Sequence, residues 1–287
     1  MSEGVVFDLG YRPHEGPRLG RSGARRALYR DGLRRVLGLR RRARRKVLPF
    51  TLILAAVIPA LFFVAVSVVL GSFDVGATLF GHHQYFDLTS TLAMLFVAFA
   101  SAELLVPDRV HGVMSVYASR PMTDSDYMGA RVASLATVVL GFLWLPHLVL
   151  FLGRAFVGDF GSYVADNWPV LHETLIGSIA YFAAFAPLAF AIASLSSRSS
   201  IASGVFLGGV IMSGPTATGL VEAGYGPAAL LALPHHPGMV KDWVLGASTS
   251  RWLPDQAGYE PVVSLAVILV VASLSLMVAF NRVRKSG

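Results

Sequence analysis

The chain has 287 residues, of which 54% are hydrophobic and only 14% charged, and its mean hydropathy is +0.61. A soluble domain carries about 25% charged residues, so the composition excludes an ordinary water-soluble fold and places most of the chain in lipid. The formal charge is +7, carried almost wholly by arginine; there is no cysteine, which excludes disulfides, thiolate catalysis and Cys-ligated zinc.

In chain order, residues 1–19 hold scattered Gly and Pro and predict an irregular arm. A dense arginine run follows over 21–46, with Tyr29, Leu33, Val36 and Leu37 at helical spacing. That pattern predicts a helix lying in the headgroup layer, arginines toward anionic lipid; it argues against nucleic acid as the partner of the basic arm. A secretory signal is not expected here, because the first apolar run begins near Val47 after this long basic arm.

Six spans are predicted at about 47–70, 88–105, 128–152, 171–195, 201–220 and 261–280. Each is close to the roughly 20 residues that cross a hydrocarbon core. Gly204, Gly208, Gly209, Ser213 and Gly214 make the fifth a small-residue helix, with Pro215 expected to end or kink it. Arginine and lysine divide unevenly between the two sides: only Arg154, Lys241 and Arg251 fall opposite the basic arm. The positive-inside rule therefore predicts cytoplasmic N- and C-termini, the latter a short tail over 281–287.

The polar stretch from Glu103 to Arg131 lies on that same side. Val110, Val113, Met114 and Tyr117 fall at i, i+3, i+4 and i+7, which predicts a short amphipathic helix over about 109–120 stopped by Pro121. Thr123 and Asp126 have the spacing of an N-cap pair opening the next helix. Glu103 and the Asp108-Arg109 pair could form a local ion cluster or snorkel at the interface. Opposite, the segment 221–260 is too apolar for a free loop. It predicts a short helix at 227–233 before Pro234-His235-His236-Pro237, a candidate outer gate, with Trp243 and Trp252 as interfacial anchors.

Chemistry-bearing motifs are few. None of the three lysines follows a glycine, so a phosphate-cradling Gly-Lys-Ser/Thr loop is absent; His172-Glu173 lacks the second histidine of a zinc protease, position 176 being Ile; and no G-x-S-x-G occurs. No catalytic, cofactor or metal residues are assigned, although the pairs His82-His83 and His235-His236 fall on one side and remain open to a metal. The span interiors hold no Lys, Arg or Asp, and only His147 lies deep, as a candidate pathway residue. An ion-driven carrier ordinarily needs such a group, so the chain reads as a pathway powered from elsewhere.

At these residues the chain resembles the permease subunits of ABC-2 type ATP-binding-cassette transporters, especially actinobacterial ones. The resemblance rests on GYRPHEGPRLGR with ALYRDGLRRVLGLRRRARRKVLPF, on Glu103–Arg131 with its SRP and Y-x-x-G elements, on SLSSRSSIASG at 194–204, and on the segment 221–260. It departs at Met122-Thr123-Asp124, where the family more often has a basic residue. What it implies is an all-α membrane protein of ABC-2, type V exporter-like architecture: an N-terminal elbow helix within 1–46, six transmembrane helices over 47–280 and a short coupling helix. Glu103, Asp108, Arg109, Val110, Val113, Met114, Tyr117, Arg120 and Pro121 would then couple to a separate ATPase subunit that binds ATP and Mg, this chain holding no cofactor of its own. A second permease subunit, the cell membrane and its lipids complete the implied partners. The implied activity is export of a drug, antibiotic or lipid-like compound. A secondary carrier or channel is the alternative, with a membrane enzyme or scaffold behind it.

Overall fold

The computed structural model describes residues 19–40, 42–70, 81–113, 117 and 121–285, and those residues form helices and connecting turns without strands. Helix α1 (Gly20–Val36) precedes α2 (Arg44–Leu70), α3 (His82–Val110), α4 (Asp124–Val157), the short α5 (Phe160–Asn167), α6 (Pro169–Leu195) and α7 (Ser199–Glu222). A 3-10 turn (Gly226–Leu231), α8 (His235–Val244) and a single turn α9 (Leu253–Gln256) then lead to α10 (Pro261–Arg284). Among the described residues six helices, α2, α3, α4, α6, α7 and α10, are long and apolar enough to cross a membrane. This is a multi-pass membrane protein.

The bundle has a centre and a rim. In its most apolar stretch α3 is 72% buried and α6 is 56% buried, whereas α2, α7 and α10 are each 22% buried. Helices α3, α4 and α6 pack on one another; α2 lies against α4, α7 against α3, and α10 against α6. Phe96, Phe185, Phe190 and Phe206 fill the main core with alanines between them, and the rim helices turn Leu, Ile and Val outward, as lipid permits.

Several expected boundaries shift, each for a physical reason. The second span is longer at both ends than 88–105, since Asp87 and Asp108 stay helical by finding buried ionic partners. Arg109 and Val110 consequently form the last turn of α3 and do not open a separate helix over 109–120. Gly112 (φ 61°) ends α3: its N–H bonds Arg109 O at 3.3 Å and the Val113 N–H bonds Asp108 O at 3.1 Å, a left-handed glycine stop. The stripe Val110, Val113, Met114, Tyr117 thus straddles a helix end, and Met114 and Arg120 lie outside the described residues. Pro215 does not end its helix, which continues to Glu222. Side-chain hydroxyls of Ser213 and Thr218 bond the Val210 and Gly214 carbonyls around it. The final helix likewise absorbs 281–284 of the expected tail. Thr123 and Asp126 do cap α4 reciprocally, at 3.3 and 3.0 Å.

Helix α1 falls inside the expected basic segment, but its apolar stripe meets protein. Leu28 and Val36 are buried in the main core with Tyr29, Leu33 and Leu37 against it, and α1 lies chiefly along α4. The two backbones meet at Gly32, where an added Cβ would stand 2.4 Å from Ser134 Oγ and 2.6 Å from its Cβ. Ser134 Oγ also lies 3.0 Å from the Tyr29 carbonyl. Gly32→Val is therefore expected to pry α1 from α4 and cost about 1–3 kcal/mol, as overpacking does. The check is a lower melting temperature in detergent with earlier proteolysis between α1 and α2.

Candidate functional site

Two clusters of buried charge sit at opposite ends of α3, and each is electrically closed. At the arginine-rich end, Asp108 is 2% exposed and Arg131, from α4, is fully buried. Arg131 Nη2 and Nε donate to Asp108 Oδ2 at 2.5 and 3.1 Å, and the Tyr127 hydroxyl donates to the same oxygen at 2.8 Å. The other carboxylate oxygen accepts from Arg35 Nη1 of α1 at 2.6 Å. Asp31 closes the set, taking Arg35 Nη2 at 2.9 Å and Arg131 Nη1 at 3.1 Å. Two guanidiniums thus face two carboxylates, and three helices are tied at one point. Nearby, Arg21 grips Asp126 through Nε and Nη2 at 2.6 and 3.0 Å. With Arg21 more than half exposed, water screens that pair and it adds little to stability.

The residues expected to couple to an ATPase divide in this frame. Glu103, Asp108 and Val113 line one 590 Å³ cavity with Arg35, Arg40 and Arg42. Arg109 reaches across to donate to the Ser194 carbonyl in the last turn of α6, where a cation meets the negative end of the helix dipole. Val110 is 55% exposed and open for contact. Tyr117 is half-buried, its ring 5.6 Å from Tyr127 and packed against the core. Pro121 precedes the capping box of α4.

At the far end, Lys241 of α8 is fully buried beside a fully buried Asp242. Its Nζ lies 2.9 Å from Asp87 Oδ1 of α3 and 2.5 Å from Asp242 Oδ1. Arg251 bridges both acids, donating to Asp87 Oδ2 and Oδ1 at 2.7 and 2.8 Å and to Asp242 Oδ2 at 2.6 Å. Trp252 Nε1 adds a bond to Asp242 Oδ2 at 2.6 Å, and the guanidinium stands 4.5 Å from the Trp252 ring centre. Burial opposes the Arg251 charge, yet its bonds to Asp87 and Asp242 raise its pKa above the ordinary value. This set was not anticipated. Its signal in the sequence was Lys241-Asp242 inside an apolar segment, together with Asp87 and Asp108 bracketing one apolar helix.

The histidines part company. His147 is fully buried, but it lies level with the first turn of α3, where its Nδ1 is 3.0 Å from His82 Nδ1. Tyr85 and Phe86 enclose it at ring separations of 4.6 and 4.1 Å. Because one Nδ1 must donate and the other accept, the two rings hold opposite tautomers, and neither Nε2 has a hydrogen-bond partner among the described residues. His83 instead offers its carbonyl to Lys241 Nζ at 3.3 Å. In the candidate gate, Pro234 caps α8 and Pro237 is buried. His235 Nδ1 accepts the Leu253 N–H at 3.1 Å. His236 Nε2 donates to Leu230 O at 3.0 Å, leaving Nδ1 to face Ser264 Oγ at 2.9 Å. The His82-His83 and His235-His236 pairs therefore serve separate partners, and among the described residues no three His, Asp or Glu side chains converge on a common point.

Two measurements follow from this geometry. Asp108→Asn leaves Arg131 and Arg35 facing one remaining carboxylate, and is expected to cost about 3–5 kcal/mol, whereas Asp108→Leu with Arg131→Met recovers most of the loss; melting of detergent-purified protein compares them. Burial lowers the pKa values of His235 and His236, so an unfolded 226–260 segment takes up protons that the folded one refuses. Its local stability is then present above about pH 6.5 and declines as pH falls through that value. Hydrogen exchange of 226–260 between pH 8 and 5 should show the loosening, and His235→Gln with His236→Gln should flatten it.

Comparison with known proteins adds no identification: no protein-family model matches this chain, and no curated protein matches it. The functional reading rests on the residues and geometry described above.

Proposed function

We propose that this chain is the permease subunit of an ATP-driven ABC-2 type exporter, forming part of the path for a hydrophobic or amphipathic substrate and driven by a separate cytoplasmic ATPase. The observation that carries this reading is the clasp at Asp108. It lies one turn before the segment 111–121 that joins α3 to α4, and it ties that junction to α1 through Arg35. A force applied to the segment is passed to three helices together, which is what a subunit moved from outside requires. In support, the central stretches of the spans carry no Lys, Arg, Asp or Glu, so the chain has no ion-binding group at mid-membrane to power transport.

In this reading α1 is the elbow helix, both termini are cytoplasmic in the cell membrane, and 221–260 covers the outer end of the path with the Asp87–Lys241–Asp242–Arg251 set as its fastening. A second permease half meets the rim, where α7 turns Gly204, Gly208 and Gly209 to open space. The His82–His147 pair favours a second reading, a carrier driven by a proton gradient. Transport into proteoliposomes under a pH gradient, without ATPase and abolished by His147→Gln, would select it.

The deciding experiment is a pull-down of tagged chain from its native membrane in mild detergent, comparing wild type with Val110→Asp plus Val113→Asp. These changes charge the contact surface and leave Tyr117 in its packing. Wild type is expected to bring down an ATPase whose turnover is raised by lipid-like or drug-like compounds, with at least tenfold less recovered by the variant. A wild type that brings down no ATPase would overturn the exporter reading.

A further inference from the structure

A groove of 360 Å³ opens between α1, α2 and α4, walled by Leu33, Leu37, Ile53, Val57 and Gly141, with Thr137 at its edge. Thr137 brings no polar demand, since its hydroxyl already lies 3.0 Å from Tyr29 Oη and 2.9 Å from the Ala133 carbonyl. The groove therefore suits an apolar chain, and its volume falls in the range of about 300–1,000 Å³ typical of ligand pockets. Because α2 and α4 are membrane helices, hydrocarbon lies beside it.

The face of α1 above the groove is cationic. Arg26, Arg30 and Arg34 repeat every four residues and are all exposed. Among the described residues none of the three has a carboxylate partner, in contrast to Arg21, Arg25 and Arg35 on the packed side. At 3.6 residues per turn, Leu33, Arg26, Leu37, Arg30 and Arg34 occupy one arc of about 100°. Apolar wall and free guanidiniums thus share one edge of one helix. A neutral hydrophobic compound would leave the guanidiniums unused, and a free anion would leave the groove unused.

We infer that this groove holds an acyl chain of an anionic phospholipid, whose phosphate is met by the guanidiniums of Arg30 and Arg34. The inference rests on the membrane placement of the helices and stands apart from the exporter reading. It makes α1 a lipid-fastened element, with one bilayer lipid wedged between it and α2.

Native mass spectrometry of the full chain in mild detergent tests it, with dioleoylphosphatidylglycerol, dioleoylphosphatidylcholine and inorganic phosphate as probes. Wild type is expected to retain phosphatidylglycerol about tenfold better than phosphatidylcholine, and millimolar phosphate should not displace it. Arg30→Gln with Arg34→Gln, both at exposed positions, should abolish the preference without changing the melting temperature. Gly141→Leu should cut retention at least tenfold: a Cβ there meets only Leu145 Cδ1 at 3.8 Å, so the new side chain enters the groove and the helix gains propensity. Val57→Phe blocks the groove from the opposite wall as a second variant. Equal retention of both lipids by wild type, displacement by phosphate, or an unchanged preference in the double arginine variant would each overturn the inference. So would full retention by a folded Gly141→Leu or Val57→Phe protein.

Discussion

Charge buried in a membrane protein has to be neutralised by other charge, and the fold is arranged around two places where this is done. Asp87 and Asp108 lie 21 residues apart on α3, about 32 Å along a helix, close to the roughly 30 Å of a hydrocarbon core. Each acid gathers a second acid and two cations drawn from other elements: Asp31, Arg35 and Arg131 at one end, Lys241, Asp242 and Arg251 at the other. Neither set carries net charge. Such pairs add little stability relative to apolar residues of the same size, but removal of one member is strongly unfavourable. Their effect is to fix which elements meet and in what register. The N-terminal helix has one seat, and so does α8.

The layout separates structural work from surface. Helices α3 and α6 are surrounded by other helices, while α2, α7 and α10 give most of their area to lipid or to another chain. The charged contacts that hold the bundle are confined to its two ends; between them the packing is apolar, threaded by single hydroxyl bonds such as Tyr85 Oη to the Ala56 carbonyl and Ser203 Oγ to the Ala98 carbonyl. The His82–His147 pair lies just inside the far end among aromatic rings. There two imidazoles share a single hydrogen bond, an arrangement sensitive to one added proton or one removed ring.

The six spans were legible in the sequence because a run of about twenty apolar residues has few other fates. Their ends were not. Hydropathy falls at Asp87 and at Asp108, and only the buried partners explain why the helix continues past both. Thr123 and Asp126 were readable because a capping box is local. The outer ionic set was not, because Asp87 and Arg251 are 164 residues apart. His82 and His83 illustrate the same limit: neighbours on a helix point about 100° apart, and which partner each meets, His147 for one and Lys241 for the other, is set by distant segments. Val110, Val113 and Tyr117 have the spacing of one helical stripe, yet Gly112 ends α3 between the first two, and the Tyr117 ring lies against Tyr127.

The distance between the two ionic sets also acts as a ruler. A lone helix meets a bilayer of the wrong thickness by tilting, but α3 is tied at both ends to neighbours that are tied to one another, so it cannot tilt by itself. In a thicker membrane one of the two sets would be drawn into hydrocarbon, and in a thinner one apolar rim would be left in water. Either mismatch would fall on the fastenings of α1 or of α8, the two elements that close the ends of the bundle. Bilayer thickness is thereby coupled to how firmly those ends are shut.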